Sequence, residues 1–156
     1  MTGHQVSRWH ASPVEALRLS GDTIEAHQSR CADLIRDLWP DAPNTLIQAA
    51  LHHDEPEKWL GDMPFTTKRD FLELAVAYIK AECIVIKRHN IPQPSTVRES
   101  RQVKLVDLLD AYMWMLKHAP ACEFEPDWVA AWSDIMQRAE TLGVAGKVRY
   151  VIAAVR

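Results

Sequence analysis

The chain has 156 residues, about the length of one domain. Its composition, 47% hydrophobic and 25% charged, is that of an ordinary globular protein and excludes collagen-like and disordered chains. Lys and Arg number 18 against 21 Asp and Glu, and the formal net charge of -3 disfavours duplex nucleic acid as a partner. We therefore expect a single domain over residues 1–156.

The cysteines and the hydropathy pattern indicate a cellular location. The chain has three widely spaced cysteines and no CxxC pair, so any disulfide scheme leaves one cysteine unpaired. The most apolar stretch, residues 71–86, is interrupted by Glu73, Lys80 and Glu82, and the N-terminus lacks an apolar targeting segment. These features predict a cytoplasmic protein with no membrane partner.

Apolar residues recur every three or four positions along most of the chain, which contains only five glycines. This periodicity predicts an all-α fold, a bundle of about six helices with short connections. The predicted helices run, in chain order, from a cap at Asp22 or Thr23 to Trp39, from a cap at Asn44 to a break at Pro56, from Thr66 to Arg88, from a cap at Ser95 or Thr96 to His118, from Glu125 to Leu142, and from Ala145 to Val155.

A small set of polar residues falls on otherwise apolar helix faces or at a helix end. His27 lies on the apolar face of its helix, where a lone histidine is more often a core residue than a ligand. The doublet His53-Asp54 ends the next helix, and Asp107 interrupts a nearly all-apolar helix, where a buried carboxylate needs Lys104, Arg101 or a metal as partner. Two imidazoles and two carboxylates together suit Mn, Co, Fe, Zn or Mg better than a thiophilic metal.

The order H…HD…D resembles that of the HD-domain phosphohydrolases. The segment from His53 to Pro64, HDEPEKWLGDMP, is similar to the HDxxE…GDxP stretch of the small 5'-deoxyribonucleotidases. Arg8-Trp9 and Lys68 match an Arg-Trp pair and a lysine of those enzymes, and the segment Val103–Asp107 resembles their final metal-ligand segment. The resemblance covers about residues 6–118 and implies a single-domain helical bundle of HD type.

The resemblance also implies a set of site residues. Glu57 would act as the catalytic acid or base, and Asp62 would assist it or orient the attacking water. Arg8 and Lys68 would hold a phosphate, while Trp9 would offer an apolar plate to a base or sugar. The ligands implied for one divalent cation, which could be Co, Mn, Mg, Zn or Fe, are His27, His53, Asp54 and Asp107.

Several functions are compatible with this layout. The first is a homo-oligomeric, metal-dependent 5'-nucleotidase that releases phosphate from deoxyribonucleoside monophosphates. The second is a dATP-type triphosphohydrolase that releases tripolyphosphate, as in compact phage HD-domain enzymes, with additional Mg bound alongside the triphosphate. A di-iron HD-domain oxygenase would need more histidines between His53 and Asp107, where only His89 lies. A helical nucleotide-binding module without turnover is the non-enzymatic alternative. None of them gives Asp110 more than a structural or surface role.

Overall fold

Helices form the regular structure of the part of the chain that is described. The computed structural model describes residues 6–156, apart from the side chain of Phe65, and within them the isolated bridge between Ser7 and Thr23 is the β-type pairing found. This confirms the all-α prediction. The α-helices of this part are α1 (Glu15–Arg18), α2 (Ile24–Leu38), α3 (Asn44–Leu51), α4 (Glu57–Leu60), α5 (Phe65–Asp70), α6 (Leu72–His89), α7 (Val97–His118), α8 (Pro126–Thr141) and α9 (Ala145–Val155), with a 3₁₀-helix, Pro120–Phe124, between α7 and α8.

The prediction of about six helices is wrong, since nine α-helices lie between residues 6 and 156. The helix predicted from Thr66 to Arg88 is divided into α5 and α6 at Phe71, whose φ of -128° and ψ of 78° are not helical. α1 and α4 have four residues each, too few for a periodic pattern to identify. Asn44 begins α3 rather than capping it, because the extended Pro43 is the residue that precedes the first helical turn.

Two predicted helix caps are confirmed. The Thr23 hydroxyl accepts a hydrogen bond from the Ala26 N–H at 3.2 Å, and the Thr96 hydroxyl accepts one from the Glu99 N–H at 3.0 Å. Each bond satisfies an N–H group that has no partner within the helix itself. The cap at Thr23 starts α2 so that His27 falls in its first turn, with its side chain fully buried.

The hydrophobic core lies where α2, α3 and α7 pack together, with α8 and α9 covering another side of α7. Trp128 and Trp132 of α8 pack against this core, and the Trp132 ring stacks on that of Tyr112 with 5.2 Å between centroids. The packing of α2, α3 and α7 fixes the three backbones that carry the polar residues singled out above. Core residues with no exposed surface include Ile35, Leu105, Val106, Leu109, Met115 and Ile135.

α6 differs from the other long helices because it packs mainly against the short helices α4 and α5. Val85 is its buried residue, although most of the helix is apolar. The large apolar side chains exposed on or next to this helix, which we call the α6 face, are Phe71, Leu72, Leu74, Val76, Ile79 and Ile84. Within residues 6–156, this face has no covering element.

The cysteines and the helix lengths bear on the expectations drawn from composition. Cys31 and Cys122 are buried and Cys83 is exposed, and all three are free thiols. Among the helices of the described residues, none combines the length and the apolar character needed to cross a bilayer.

Candidate metal centre

Four predicted residues from three parts of the chain converge on one point. His27 comes from α2, His53 and Asp54 follow the end of α3, and Asp107 comes from the middle of α7. The Nε2 atom of His27 is 3.2 Å from Nε2 of His53, 3.3 Å from Oδ2 of Asp54 and 3.4 Å from Oδ1 of Asp107. One ligand atom from each residue lies within 4.8 Å of all the others. We call these four residues the His/Asp cluster.

Hydrogen bonds determine which ring nitrogens of the two histidines carry a proton. Nδ1 of His53 is 2.7 Å from the carbonyl oxygen of Ala50, which can only accept, so this nitrogen donates. Nδ1 of His27 is 2.6 Å from the carboxylate of Asp110 and donates in the same way. The neutral rings therefore direct two lone pairs at each other across 3.2 Å. That arrangement is repulsive unless a cation or a proton lies between the two nitrogens.

The spacing of the cluster fits a divalent cation. Ligands at right angles around a six-coordinate cation, each about 2.1 Å from it, are about 3.0 Å apart. Separations of 3.2, 3.3 and 3.4 Å around Nε2 of His27 are close to this value. Two nitrogen and two oxygen donors suit borderline and hard divalent ions. The His/Asp cluster could therefore hold a metal ion.

Cys31 lies one turn after His27 on α2, and the trio of His27, Cys31 and His53 also groups closely enough to hold a metal. Its Sγ is 3.6 Å from the Val106 carbonyl oxygen, to which the thiol can donate. Burial raises the pKa of the Cys31 thiol to about 11, so the sulfur stays protonated at neutral pH. Because the thiolate is the form that binds metals, the nitrogen and oxygen set is the stronger ligand group.

Both carboxylates of the cluster are ionised at neutral pH. Burial by itself raises the pKa of Asp54, but His53 and a hydrogen bond from His27 lower it more. Burial likewise raises the pKa of Asp107, but Lys104 and hydrogen bonds from the two histidines hold it well below its usual value. Lys104 Nζ binds Oδ2 of Asp107 at 2.7 Å, while Oδ1 faces His27. The predicted lysine partner and a role in the cluster are therefore compatible.

The same negative charges act on the two histidines. Burial lowers the pKa of His27, yet hydrogen bonds to the carboxylates of Asp107 and Asp110 help to raise it well above its usual value. Burial also lowers the pKa of His53, and Asp54 with Asp107 raises it. A proton and a metal cation thus compete for the same Nε2 lone pairs.

We expect the affinity for Mn²⁺ to fall as the pH is lowered from about 8 to about 6, because the histidines must lose a proton before they bind a metal. The decrease should approach about tenfold per pH unit for each proton displaced. Calorimetric titrations in two buffers of different ionisation enthalpy measure the affinity and the protons released. The His52→Ala variant is the control, since His52 pairs with Glu55 outside the cluster and its loss should leave this dependence intact. Binding that is independent of pH and releases no proton would contradict the competition.

The predicted acid or base, Glu57, is the first residue of α4 and is only 7% exposed. Pro56 lies just before it with a φ of -56°, so the chain restarts as a helix immediately after the doublet. Burial, followed by the charges of Asp54 and Asp62, raises the pKa of Glu57 to about 9. Burial also raises the pKa of Asp62, against the opposing charge of Lys68. In the field of the protein's own charges, Glu57 holds a proton at neutral pH.

The segment before α1 brings Arg8 next to the cluster. The Arg8 N–H donates to the Asp22 carbonyl at 3.2 Å, which pairs this segment with the start of α2. The Arg8 guanidinium then lies 3.6 Å from Asp107 and 3.1 Å from Asp110. Trp9 is partly buried against the core and donates its Nε1–H to Asp22 at 3.1 Å. Arg8 is thus beside the His/Asp cluster, and Trp9 is held next to Arg8 by its bond to Asp22.

Lys68, on α5, lies close enough to Glu57 for its charge to act on that carboxyl. Its Nζ is 5.1 Å from the ring centre of Tyr78, and its charge lowers the pKa of both Glu57 and Glu82 against the effect of burial. The Tyr78 hydroxyl donates to the Gly61 carbonyl and so joins α6 to the loop after α4. The structure therefore groups Lys68 with three acidic side chains, of which Glu57 and Asp62 belong to the predicted site and Glu82 lies outside it.

Sequence reasoning missed two residues that support the cluster. Asp110, to which only a structural or surface role was assigned, is 2% exposed and accepts the hydrogen bond from His27. Its spacing of three residues from Asp107, on one side of an apolar helix, is the signal that could have identified it. Gln28 is also buried, and its amide oxygen, when turned toward the doublet, accepts from the backbone N–H groups of Asp54 and Glu55 at 3.2 and 2.9 Å. Nothing in the sequence pattern indicated this contact.

Comparisons of the chain with protein-family models, with curated proteins and with solved structures found no match. What the site can do is therefore inferred from its own residues and from the motif order in the sequence.

Proposed function

We propose that this chain is a divalent-metal-dependent phosphohydrolase of HD-domain type that acts on deoxyribonucleotides. The observation that carries the proposal is the pair of histidine Nε2 atoms, 3.2 Å apart and both acceptors, between two ionised carboxylates. The same four residues follow the order H…HD…D along the sequence. The preferred reaction is that of a 5'-nucleotidase, which releases phosphate from deoxyribonucleoside monophosphates.

The residues around the cluster suit this reaction. A divalent cation held by the His/Asp cluster would lower the pKa of a bound water and offset the charge of the phosphate. Glu57, protonated at neutral pH, donates its proton to the leaving 5'-oxygen as the phosphorus–oxygen bond breaks. Asp62 accepts a hydrogen bond from the attacking water and orients it, and the water loses a proton to solvent as its oxygen bonds to phosphorus.

Two cations bind the phosphate in this proposal. Arg8 lies within 3.6 Å of Asp107, so the outer edge of its guanidinium can meet an anion placed against the cluster. Lys68 adds a compact charge from the side of Glu57. The Trp9 ring, with the Arg8 guanidinium 5.0 Å from its centre, supplies an apolar surface for the base or sugar.

A dATP-type triphosphohydrolase is the second candidate. It is supported by the carboxyl groups of Asp62 and Glu82 near Lys68, because hard carboxylate oxygens could hold an additional Mg²⁺ with the longer phosphate chain. Its products would be the nucleoside and tripolyphosphate.

The proposal includes a homo-oligomer in the cytoplasm. The α6 face supports an oligomer, because large apolar side chains left exposed on a helix are often covered by a partner. The three free cysteines fit a reducing compartment.

A hydrolysis screen tests the function. Ribo- and deoxyribonucleoside mono- and triphosphates are incubated with the protein and Co²⁺, Mn²⁺ or Mg²⁺, and the products are separated by chromatography, with chelator-treated protein as the control. We expect nucleoside and free phosphate from several deoxymonophosphates. Selective loss of dATP with release of tripolyphosphate would favour the second candidate. Tight nucleotide binding without turnover under any metal would contradict both and support a binding module, and two irons bound per chain would support an oxygenase.

A further inference from the structure

A buried ionic network lies directly behind His27. Asp110, 2% exposed on α7, accepts from Nδ1 of His27 at 2.6 Å, from Nε of Arg30 at 2.7 Å and from the guanidinium of Arg8 at 3.1 Å. A second Arg30 nitrogen lies 3.0 Å from Asp110. Both carboxylate oxygens are thus occupied by donors from two cationic side chains and one imidazole.

Arg30 is itself held on two further sides. Its terminal nitrogen bonds both oxygens of Asp22 at 2.9 and 3.0 Å, and its guanidinium lies 4.3 Å from the ring centre of Trp114. Asp22 is 3% exposed and also accepts from Trp9. A planar guanidinium bound in this way has one orientation, so the carboxylate of Asp110 is fixed as well.

We propose that Asp110, held by Arg30, is a positioning residue that keeps the proton of His27 on Nδ1 and so presents the Nε2 lone pair to the divalent cation. The inference rests on the proposed metal site. A carboxylate paired with cationic donors can only accept, and His27 must therefore donate from the nitrogen that faces it. Partners of this kind orient a ligating histidine and raise its basicity, and their loss weakens metal binding by about 10- to 100-fold.

Substitution by alanine removes the acceptor that faces His27, and substitution by asparagine keeps an acceptor without the charge. In Asp110→Asn, the amide oxygen takes the position of Oδ2, where it accepts from Nδ1 of His27 and from both arginines, and the NH₂ then meets only Nε of Arg30. The charged arginine donors favour this orientation, because the other places the NH₂ against two guanidinium groups. In Asp110→Ala the carboxylate that holds the proton on Nδ1 is gone, and the proton can move to Nε2, where it blocks the cation.

Two measurements test the assignment. In the wild-type chain without added metal, at a pH where the imidazole is neutral, ¹⁵N NMR of the imidazole nitrogens should report a proton on Nδ1 of His27. In Asp110→Ala the proton should move to Nε2, and the Mn²⁺ affinity measured by calorimetry should fall about 10- to 100-fold. Asp110→Asn should keep the Nδ1–H signal and bind Mn²⁺ more tightly than Asp110→Ala. Asp22→Ala is the matched control, because it removes a similarly buried carboxylate from the same arginine without touching His27. It should lower the melting temperature while keeping the Nδ1–H signal and the metal affinity.

The outcomes distinguish this inference from the function on which it rests. A wild-type His27 protonated only on Nε2 would overturn the inference even if Asp110→Ala failed to fold. So would an Asp110→Ala protein that binds Mn²⁺ as tightly as the wild type. Loss of affinity in Asp22→Ala as large as that in Asp110→Ala would also overturn it, by showing a structural effect. A wild-type chain that has the Nδ1–H signal but binds no divalent cation would instead contradict the proposed function.

Discussion

The Asp54→Ala protein should bind no divalent cation at concentrations that saturate the wild type, and it should have no measurable hydrolase activity. Asp54 places Oδ2 3.3 Å from His27 and 3.4 Å from His53, so it faces both nitrogen donors. Groups that only orient a metal ligand contribute about 10- to 100-fold to affinity. Loss of a ligand should therefore weaken binding by more than about 100-fold.

Calorimetry with Mn²⁺ and the phosphate-release assay measure the two effects on the same preparation. Metal should raise the melting temperature of the wild type and leave that of Asp54→Ala unchanged, because a ligand stabilises only the state that binds it. Asp33→Ala is the matched control, since Asp33 is an exposed carboxylate on α2 paired with Arg36. The control should keep both the affinity and the activity. A fully active Asp54→Ala protein would overturn the assignment of the cluster.

We expect Glu57→Gln to separate the two effects, with metal affinity retained and turnover reduced by about 100- to 10,000-fold. Glu57 is the first residue of α4, three positions after Asp54, and does not belong to the His/Asp cluster. Glutamine keeps the size of the side chain but has no acidic proton to transfer. Calorimetry should therefore give an Mn²⁺ affinity close to that of the wild type, while the rate constant for hydrolysis falls.

The pH profile gives a second readout for Glu57. The carboxyl is raised to a pKa of about 9 by burial and by the neighbouring carboxylates, and a bound cation would lower that pKa by offsetting their charge. A general acid must hold its proton, so Glu57 is active below its pKa. Wild-type turnover should therefore fall as the pH rises through the pKa that Glu57 has in the metal-bound protein. Glu57→Gln should lack this alkaline decrease. Glu55→Gln is the matched control, because Glu55 pairs with Lys58 and His52 away from the cluster.

Either of two results would contradict the role of Glu57. One is an unchanged rate in Glu57→Gln. The other is a loss of metal affinity as large as that of Asp54→Ala, which would make Glu57 a ligand rather than an acid.

Local sequence was sufficient for much of the secondary structure. The starts of α2 and α7 follow from the capping hydroxyls of Thr23 and Thr96. The break between α3 and α4 follows from Pro56. Each of these side chains acts within one helical turn. The break at Phe71 escaped prediction because apolar residues continue through it. Its non-helical backbone separates α5, which carries Lys68, from α6.

The residue types in the cluster could also be recognised without coordinates. A histidine, a His-Asp doublet and an isolated aspartate on apolar surfaces are unusual enough to indicate shared chemistry, and their order resembles a known motif. Whether they meet was decided by the packing of α2, α3 and α7, which brings His27 within 3.4 Å of Asp107, 80 positions later in the chain.

Only the tertiary structure shows how the histidines are held. The proton positions of His27 and His53 depend on Asp110 and on the Ala50 carbonyl, one of them from a distant helix. Arg8 reaches the cluster because its segment pairs with the chain just before α2. Side-chain identity and helical period act over a few residues and can be read along the chain. Hydrogen bonds between distant segments depend on how whole helices pack, and a single sequence contains no local signal for them.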